Sequence, residues 1–496
     1  MILPALLLVP FAAGVLSFFA RKRAAMETIN LVGFAATFLI AAGLVAQVLR
    51  VGAISLWDGF LYADALSALV ILLTASVALL CSVYAVGYLR ENERSGAVQD
   101  DAVDVDASAK LRKYYCLTPL FVFSMMLIAV ANNLGVMWSA IEATTLASVF
   151  LVTFHGRVTS LEAAWKYAII GGVGLSMALF GTILAYYSGR HLMGSDNLYA
   201  LNWSVLVERA SQLDKTTMRL AFILVLLGYG TKAGLAPMHT WKPDAYSEAP
   251  VPSAAILSSA MLNCAMYGLI RFYILTSRCL GTEYPGRLLL LFGILSMAVA
   301  VPFVLVQKNF RRLLAYSTIE HGGIMATALG IGGPLASLGL MLHMTFHTVA
   351  KPLLFLCAGN VYQHFKTDLF HKMKGSVMHA MPLTGTIFLM AMMAIIGMPP
   401  FSLFQSEFII LRAAFAGGHT LAGSLFVLCG TGVFAGALIH LGGLILGPAG
   451  DRVPVARPWR NSSLIALATV LVVIAFWIPA PLLELIQGAA RVVNGQ

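Results

Sequence analysis

Long apolar runs recur along the whole chain, and they constrain the fold more than any other feature of the sequence. Each run has about 18 or more residues, enough for a helix to cross a hydrocarbon core of roughly 30 Å. Only 11% of the 496 residues are charged and the mean hydropathy is +0.85, whereas soluble domains carry roughly 25% charged residues. No soluble core could bury so much apolar surface. The sequence therefore predicts an all-α integral membrane protein of about fourteen transmembrane helices.

The formal net charge of +10 does not indicate a nucleic-acid partner, because the basic residues form short clusters in alternate loops. Such clusters are typical of the cytoplasmic loops of multi-pass membrane proteins. They are residues 21–23, 110–113, 157, 308–312, 366–374 and 452–460. This asymmetry predicts a bacterial or archaeal inner (plasma) membrane protein with both termini outside. The first apolar run precedes its basic cluster, so we expect a spanning helix rather than a cleavable signal peptide.

Cysteines and cofactor motifs give little sign of covalent or redox chemistry in this chain. No Cys-x-x-Cys pair, glycine-rich phosphate loop or nucleophile–base pair is present in the sequence, so we expect no cofactor in this subunit. The cysteines are expected to be packing residues: Cys81, Cys116, Cys264, Cys279, Cys357 and Cys429. The acidic stretch 91–106 is predicted to be a solvated loop, and docking of a partner there is the less favoured alternative.

Two predicted spans are interrupted by glycine and proline close to an ionisable residue. The seventh, 218–237, contains Lys232 between Gly and Pro positions, and the twelfth, 380–415, contains Gly-Met-Pro-Pro at 397–400 followed by Glu407. Interrupted helices at matching positions in two halves of a chain are typical of inverted-repeat transporters with a site near the midplane. A simple proline kink is the alternative for either helix alone. The matched pair favours a functional role.

Several ionisable residues fall inside the predicted spans, where a charge costs about 2.5 to 3.5 kcal/mol unless it faces protein or water. They are Glu142 in the fifth span, Lys232 in the seventh, Glu320 and His321 in the tenth, His343, His347 and Lys351 in the eleventh, and Glu407 in the twelfth. The three in the eleventh span recur every four residues and so share one helix face. Lys, His and Glu can exchange protons when burial and neighbouring charges balance. The row predicts a proton path.

Structural explanations remain open for some of these residues. Glu142 and Lys232 could be a static buried pair that fixes helix packing. His343 and His347 have the i, i+4 spacing of metal ligands, but no nearby Glu or Cys in the sequence completes a zinc ligand set, so no metal is predicted. Arg271 lies near the end of the eighth span, and we expect its side chain to snorkel toward the surface.

Four segments resemble motifs of the antiporter-like subunits of respiratory complex I and of Mrp-type cation/proton antiporters. They are KAGLAPMHTWKPDAYSEAPVPSA at 232–254, RRLLAYSTIEHGG at 311–323, the helix that carries His343, His347 and Lys351, and GMPPFSLFQSE at 397–407. The resemblance implies fourteen helices with two inverted five-helix repeats and broken helices 7 and 12. It implies three N-terminal helices with a cytoplasmic loop (1–113), the two repeats (114–277 and 278–447) and a C-terminal helix (448–496).

The same resemblance implies roles for individual residues. Glu142 takes the place of the glutamate that modulates the lysine on the seventh helix, here Lys232. Lys351, backed by His343 and His347, matches the central relay, and Glu407 matches the end of the path on the twelfth helix. His239 matches the histidine at the entrance to the eighth helix. This set is Glu142, Lys232, His239, His321, His343, His347, Lys351 and Glu407.

One position departs from the pattern, because Asn263 stands where many relatives carry a lysine on the eighth helix. A neutral amide can hold water but cannot carry a proton as a charged site. A strictly lysine-based path between Lys232 and Lys351 is therefore interrupted there, and water or His321 are the candidates that could fill the gap. The pairings Asn263-Cys264 and Glu320-His321 resemble most the F subunits of the hydrogenase-4 and formate hydrogenlyase branch.

The resemblance implies a proton-translocating membrane subunit of a respiratory redox complex, of the hydrogenase-4 type (group 4 NiFe hydrogenase) or the NADH:quinone oxidoreductase type. Its implied partners are other membrane subunits, a peripheral redox arm and the lipid bilayer, and the ion is H⁺ or Na⁺. An Mrp-type cation/proton antiporter subunit is one alternative. The membrane module of an ion-driven inorganic-carbon uptake complex is another.

Overall fold

The structure is a computed structural model, and it describes residues 2–94, 107–190, 199–373, 377–445 and 458–495. Most of the acidic stretch 91–106 and the basic residues Lys374, Arg452 and Arg457 lie outside the described residues. Within them the chain is a bundle of α-helices with a short antiparallel hairpin of β1 (Ile54–Leu56) and β2 (Leu61–Ala63), in which Ser55 pairs with Tyr62.

The helices follow one another with short connections. They are α1 (Ile2–Phe19), α2 (Arg23–Val51), α3 (Ala65–Arg94), α4 (Ala107–Val130), α5 (Leu134–Val152), α6 (Val158–Ser188), α7 (Trp203–Glu208), α8 (Lys215–Ala233), α9 (Trp241–Glu248), α10 (Val251–Ser258), α11 (Ala260–Leu280), α12 (Glu283–Val306), α13 (Phe310–Ile331), α14 (Gly333–Phe365), α15 (Val377–Ala380), α16 (Pro382–Ile395), α17 (Ser402–Ala416), α18 (Thr420–Ile445), α19 (Pro458–Phe476) and α20 (Ala480–Val493). Single 3-10 turns occur at Thr153–His155, Ala210–Gln212 and Phe370–Lys372.

Ten helical segments in the described part of the chain are long and apolar enough to cross a membrane, and the bent pair α19 and α20 brings the number to eleven. The ten are α1 to α6, α10 with α11, α12, α14 and α18. The outer helices leave large apolar side chains exposed, among them Phe19, Val158 and Leu421, a surface suited to lipid. The prediction of an all-α, multi-pass membrane protein is confirmed, with ten or eleven apolar spans where about fourteen were expected.

Helix α14 is the longest helix of the described chain, and nearly all of it is buried. It packs against α10, α13, α16, α17, α19 and α20. Small residues allow this close packing, as they do between membrane helices in general. At Gly339, for example, an added Cβ would collide with the Ile410 side chain of α17. The polar side chains that α14 carries are therefore held inside protein rather than in lipid.

Both predicted helix breaks are present. Helix α8 ends directly before Gly234, whose φ is 71°, and α16 ends two residues before Gly397, whose φ is 68°. Glycine adopts such a backbone at no steric cost. The peptide bonds Ala236–Pro237 and Pro399–Pro400, which follow these glycines, are both cis. Residues 230–236 at the first break are buried, so the end of α8 lies inside the bundle, whereas residues 398–400 of the second break are exposed.

The prediction that Arg271 snorkels to the surface was wrong. Its side chain is 2% exposed, and its two terminal nitrogens donate to the two carboxylate oxygens of Asp64 at 2.8 Å each. The guanidinium also lies 4.1 Å from the ring centre of Trp203. Arg271 is held in the interior because the fold supplies a carboxylate from the segment just before α3, far away in the sequence.

The predicted fourteenth span, 464–486, is not one straight helix. It is divided into α19 and α20, whose axes differ by 74°. The residue before α20 is Pro479, and proline removes a backbone donor that a continuous helix would need. Helix α20 packs against α3 and α14.

Candidate functional site

Lys232 lies in the last turn of α8 and is 1% exposed. Its Nζ donates hydrogen bonds to the hydroxyl of Thr145 on α5, at 2.7 Å, and to the hydroxyl of Tyr167 on α6, at 2.8 Å. The same nitrogen lies 5.1 Å from the centre of the Tyr167 ring. Two neutral oxygens and an aromatic ring, rather than a carboxylate in contact, hold this amine.

Tyr167 is fixed in place by its neighbours. Its ring stacks on Trp241 with centroids 4.3 Å apart, and its hydroxyl lies 2.8 Å from that of Ser148. The indole nitrogen of Trp241 donates to the carbonyl oxygen of Thr231 at 2.9 Å, which ties α9 to the end of α8. Close packing of α6 and α8 depends on small residues such as Gly228, where an added Cβ would collide with α6.

Glu142 lies one turn before Thr145 on α5 and is partly buried. Its Oε2 is buried without a hydrogen-bond partner among the described residues. Its charge acts on Lys232 electrostatically, yet the ion pairs found in the described chain do not join the two. This geometry does not favour the alternative of a static buried pair. The modulating role of Glu142 stays a prediction.

Helices α13, α14 and α17 bring together a chain of polar side chains. Nδ1 of His321 lies 3.0 Å from Nε2 of His343, and Nδ1 of His343 lies 3.0 Å from the hydroxyl oxygen of Ser406. The hydroxyl of Ser406 donates its own hydrogen to the carbonyl of Leu403 at 2.8 Å. With its hydrogen placed on the Leu403 carbonyl, it accepts the hydrogen on Nδ1 of His343, and the two contacts together favour this tautomer. A neutral His343 then accepts at Nε2, and His321 donates from Nδ1.

This hydrogen-bond chain ends at atoms without a protein partner. Nε2 of His321, both ring nitrogens of His347 and Nζ of Lys351 are buried and have no hydrogen-bond partner in the described part of the chain. The rings of His321 and His347 lie 5.0 Å apart, centroid to centroid. Buried polar groups normally bond to protein or to ordered water. The region from His321 to Lys351 is therefore suited to hold water.

Two carboxyl groups lie at the far side of this region. Glu320 on α13 is within electrostatic reach of both Lys351 and Glu407. Glu320 and Glu407 line a cavity of about 290 Å³, which Phe404 and Thr431 also line. The Glu407 carboxyl lies against Gly397, where any side chain would collide with it. The break between α16 and α17 thus makes room for Glu407. Glu320 was not in the predicted set of path residues, but the structure places it beside them.

The fold also brings a carboxylate to the histidines, which the sequence spacing did not indicate. Potential ligand atoms of His321, His343 and Glu407 all lie within 4.8 Å of one another. Two imidazoles and a carboxylate are a set that zinc can use. Here, however, the imidazoles of His321 and His343 are already donor and acceptor to each other at 3.0 Å. We interpret the cluster as a hydrogen-bonded histidine chain.

The segment between α8 and α9 holds the last predicted residue, and the first turn of α9 holds one that the prediction missed. His239 is buried, and its Nδ1 has no hydrogen-bond partner among the described residues. Its carbonyl accepts the backbone N–H of Lys242 at 3.0 Å. Lys242 is fully buried, and its Nζ donates to the carbonyl oxygen of Ala233 at the end of α8. Lys242 lies in the motif at 232–254, three residues after His239, and that position was the signal for it.

Comparisons with known proteins agree with this architecture. Residues 131–434 match the family described as NADH:quinone oxidoreductase/Mrp antiporter, TM. The chain is similar to the hydrogenase-4 component F homolog of Methylacidiphilum infernorum, with 37% identity over 404 residues that cover 80% of this chain and 81% of the relative.

Two solved structures share the fold. One belongs to the membrane-bound sulfane sulfur reductase, an archaeal respiratory membrane complex, with a TM-score of 0.85 and 23% identity over 99% of this chain and 97% of that chain. The other belongs to the Mrp complex of Dietzia sp. DQ12-45-1b, with a TM-score of 0.84 and 18% identity over 99% of this chain and 97% of that chain. The family match spans well over half of the sequence. The chain is an antiporter-like, multi-pass membrane subunit and belongs to the NADH:quinone oxidoreductase/Mrp antiporter family.

Proposed function

We propose that this chain is the proton-translocating membrane subunit of a respiratory redox complex of the hydrogenase-4 or NADH:quinone oxidoreductase type. The observation that carries the proposal is the line of buried or partly buried ionisable groups inside the helix bundle, several of which have atoms without a hydrogen-bond partner among the described residues. Such groups are expensive inside a membrane and mark ion pathways or proton relays. The likeness to a hydrogenase-4 component F homolog supports the redox type of complex.

The first half of the proposed path is the site around Lys232. Its amine is held by the hydroxyls of Thr145 and Tyr167, which bind either the amine or the ammonium form, because a hydroxyl can donate or accept. Glu142 acts on it electrostatically. A proton that arrives at Lys232 is therefore retained or released according to the charge on Glu142. His239 follows the break in α8, in the segment that leads to α9.

The second half runs from Lys351 to Glu407. A proton taken up at Nε2 of His321 allows the proton on its Nδ1 to pass to Nε2 of His343, along the hydrogen bond of 3.0 Å. His347 and Lys351 supply further groups next to His321, and Glu320 links Lys351 electrostatically to Glu407. The cavity beside Glu407 then provides the outlet of the path.

The finer architecture is part of the proposal. We place fourteen spans in the chain, with α8 and α13 as additional spans that are more polar and α16 with α17 as one broken span. Two inverted five-helix repeats, 114–277 and 278–447, lie between the N-terminal region 1–113 and the C-terminal region 448–496. The matching glycines with positive φ at the two breaks, Gly234 and Gly397, support this symmetry.

The setting of the protein follows from the same reasoning. The complex lies in the inner (plasma) membrane of a bacterium or archaeon, with both termini of this chain outside, and its ion is H⁺, with Na⁺ as the alternative. Other membrane subunits flank the chain, and a peripheral arm carries the redox cofactors. Electron transfer in that arm changes the charge next to the first half of the path, and the change passes along the line of buried groups.

The test uses the full-length chain purified with its partner subunits in mild detergent and reconstituted into liposomes that contain a pH-sensitive dye. A potassium diffusion potential, set up with valinomycin, drives protons inward. We expect influx above that of protein-free liposomes, and we expect Lys232→Ala to lower it to the protein-free level. Lys215→Ala, an exposed lysine on the same helix, is the matched control and should leave it unchanged. Equal influx through the Lys232→Ala variant would refute the proposal.

An Mrp-type cation/proton antiporter subunit is the second candidate, because the family to which the chain belongs includes Mrp antiporters. The two candidates differ in what co-purifies and in which gradient drives transport. Redox subunits identified by mass spectrometry in the purified complex support the first candidate. Sodium-dependent pH changes in liposomes whose preparation contains no redox subunit support the second, and co-purification of a soluble zinc protein supports an inorganic-carbon uptake module.

A further inference from the structure

The two halves of the proposed path are separated by Asn263, which is fully buried on α11. Its Nδ2 donates to the hydroxyl of Thr348 on α14 at 2.6 Å, and that hydroxyl in turn donates to the carbonyl of Met344. The amide of Asn263 and the hydroxyl of Thr348 are both neutral, so they orient their neighbours but do not hold a proton as a charged site. Passage of a proton from Lys232 to Lys351 therefore depends on water or on another ionisable group near this point.

Lys242 is such a group. It is one of three lysines buried in the described part of the chain, together with Lys232 and Lys351. Its side chain passes directly over Gly234, where an added Cβ would collide with its Cδ and Cε atoms. Its Nζ donates to the carbonyl of Ala233, the residue that follows Lys232. Lys242 follows the break in the chain, and its side chain thus reaches back to the end of α8.

Lys242 is connected to both halves of the path. On one side it follows Trp241, whose ring stacks on Tyr167, and the hydroxyl of Tyr167 binds Lys232. On the other side α9 contacts α14, because the ring centre of Tyr246 lies 6.0 Å from that of Phe355, one turn after Lys351. The Lys242 amine is also within electrostatic reach of His347 and Lys351. The ionisable groups that face it are therefore His239 and Tyr246 from its own segment and His347 and Lys351 from α14; the ring centre of Tyr246 lies 5.9 Å from its Nζ.

The surroundings of Lys242 can accept both protonation states. The carbonyl at the C-terminal end of α8 carries partial negative charge and stabilises an ammonium by roughly 0.3 to 1 kcal/mol. Burial in an apolar interior opposes any charge. An ammonium has three N–H donors, of which the described contacts use one, so two remain free to face a proton acceptor.

We propose that Lys242 is the proton-carrying residue that joins the two halves of the path. The inference rests on the proposed function and extends it by one residue. The Lys242 amine takes a proton that comes from the Lys232 side, and its ammonium releases a proton toward His347 and Lys351. The competing explanation is that Lys242 only fixes the break through its hydrogen bond to Ala233.

The liposome assay separates these explanations through two variants. Lys242→Gln keeps an N–H donor for the Ala233 carbonyl but cannot bind a proton as a charged group. Lys242→Arg keeps both the donor and the positive charge but does not release its proton. A proton carrier predicts at least tenfold lower influx for both variants, with partner subunits retained on purification. Lys215→Gln, on the exposed start of α8, is the matched control and should match the wild type.

A third variant makes the test independent of any defect in assembly. Introducing Asn263→Lys into the Lys242→Gln background places a lysine on α11 beside Thr348, and we expect it to restore a large part of the influx. If wild-type influx is lost in Lys232→Ala but fully kept in both Lys242 variants, Lys242 carries no proton and the inference is wrong, although the proposed function stands. If the wild type itself conducts no protons, the proposed function fails first.

Discussion

The buried pair of Arg271 and Asp64 gives the sharpest test of the packing, because its contribution can be worked out from the contacts. The Arg271 guanidinium makes two hydrogen bonds of 2.8 Å to the Asp64 carboxylate, and the two side chains are 2% and 6% exposed. Removing one partner of such a pair costs about 3 to 5 kcal/mol, because the remaining charge stays buried and unpaired. We expect Asp64→Asn to lower the free energy of unfolding by that amount.

The substitution isolates the charge from the other role of Asp64. One oxygen of Asp64 accepts the backbone N–H of Ser67 at 3.0 Å, which caps the start of α3. Asparagine is as good a cap as aspartate, so this bond survives in the variant. Equilibrium unfolding of the purified protein in mixed micelles, by titration with SDS, measures the difference.

Two comparisons make the result interpretable. Glu283→Gln breaks an ion pair with Arg287 in which both side chains are 77% exposed, and an exposed i, i+4 pair contributes less than about 0.5 kcal/mol. Asp64→Asn combined with Arg271→Met removes both buried charges and keeps the cap of α3, so stability should return close to that of the wild type. A loss below about 1 kcal/mol for Asp64→Asn would show that the guanidinium finds another partner or water, and would refute the reasoning.

The same pair predicts a pH dependence. Burial alone would raise the pKa of Asp64, but the charge of Arg271 and its hydrogen bonds outweigh burial and hold that pKa below the ordinary value of 3.8. A carboxyl group whose pKa is lowered by folding stabilises the protein above its unfolded pKa and loses this contribution as the pH falls through the folded pKa. The difference between wild type and Asp64→Asn should therefore be full near neutral pH and shrink below a pH of about 4.

Two further predictions concern the proposed path and use the liposome assay. Thr145→Val removes one of the two hydroxyls that bind Lys232. Because a hydrogen bond to a charged group contributes about 1.5 to 3 kcal/mol, we expect about a tenfold or larger loss of proton influx. An unchanged rate of influx would contradict the assignment. Ser406→Ala removes the acceptor that sets the tautomer of His343. Loss of this hydrogen bond, at about 1 kcal/mol, corresponds to roughly fivefold slower proton influx. Ser402→Ala, at another buried serine of α17, is the control.

The sequence predicted the helices well and the contacts between them less well. Apolar runs, the glycines and the prolines mark spans and breaks locally, which is why the break after α8 was expected and is present. Pro479 indicates the bend between α19 and α20 locally, but the apolar residues on both sides of it form one run that predicts a single span. Arg271 was misjudged for a different reason: its partner, Asp64, is 207 residues away in the chain, and no local pattern reveals such a pair.

The candidate site shows the same division. The spacing of His343, His347 and Lys351 along one helix face is a local property, and all three are buried on α14 as that spacing requires. Which groups meet them depends on α13 and α17, so neither the bond from His343 to His321 nor the anchor at Ser406 was predictable from spacing. Likewise, Lys232 was expected to interact with Glu142, whereas its hydrogen bonds go to hydroxyl groups on α5 and α6.

The break after α8 has a consequence that a simple kink would not have. A continuous helix satisfies its own carbonyl groups, whereas the last carbonyls of α8 are available to other donors inside the bundle. Lys232 lies in that last turn and Lys242 donates to the carbonyl of Ala233, so one helix end favours the charged form of two buried lysines. Lys351 lies within α14, beside Pro352 and away from either helix end, and its opposing charge comes from Glu320. A proton on the α8 side is therefore stabilised by fixed backbone dipoles, and one on the α14 side by a carboxylate that can itself be protonated. The stabilisation of a proton on the α14 side therefore depends on the protonation state of Glu320, whereas that on the α8 side does not.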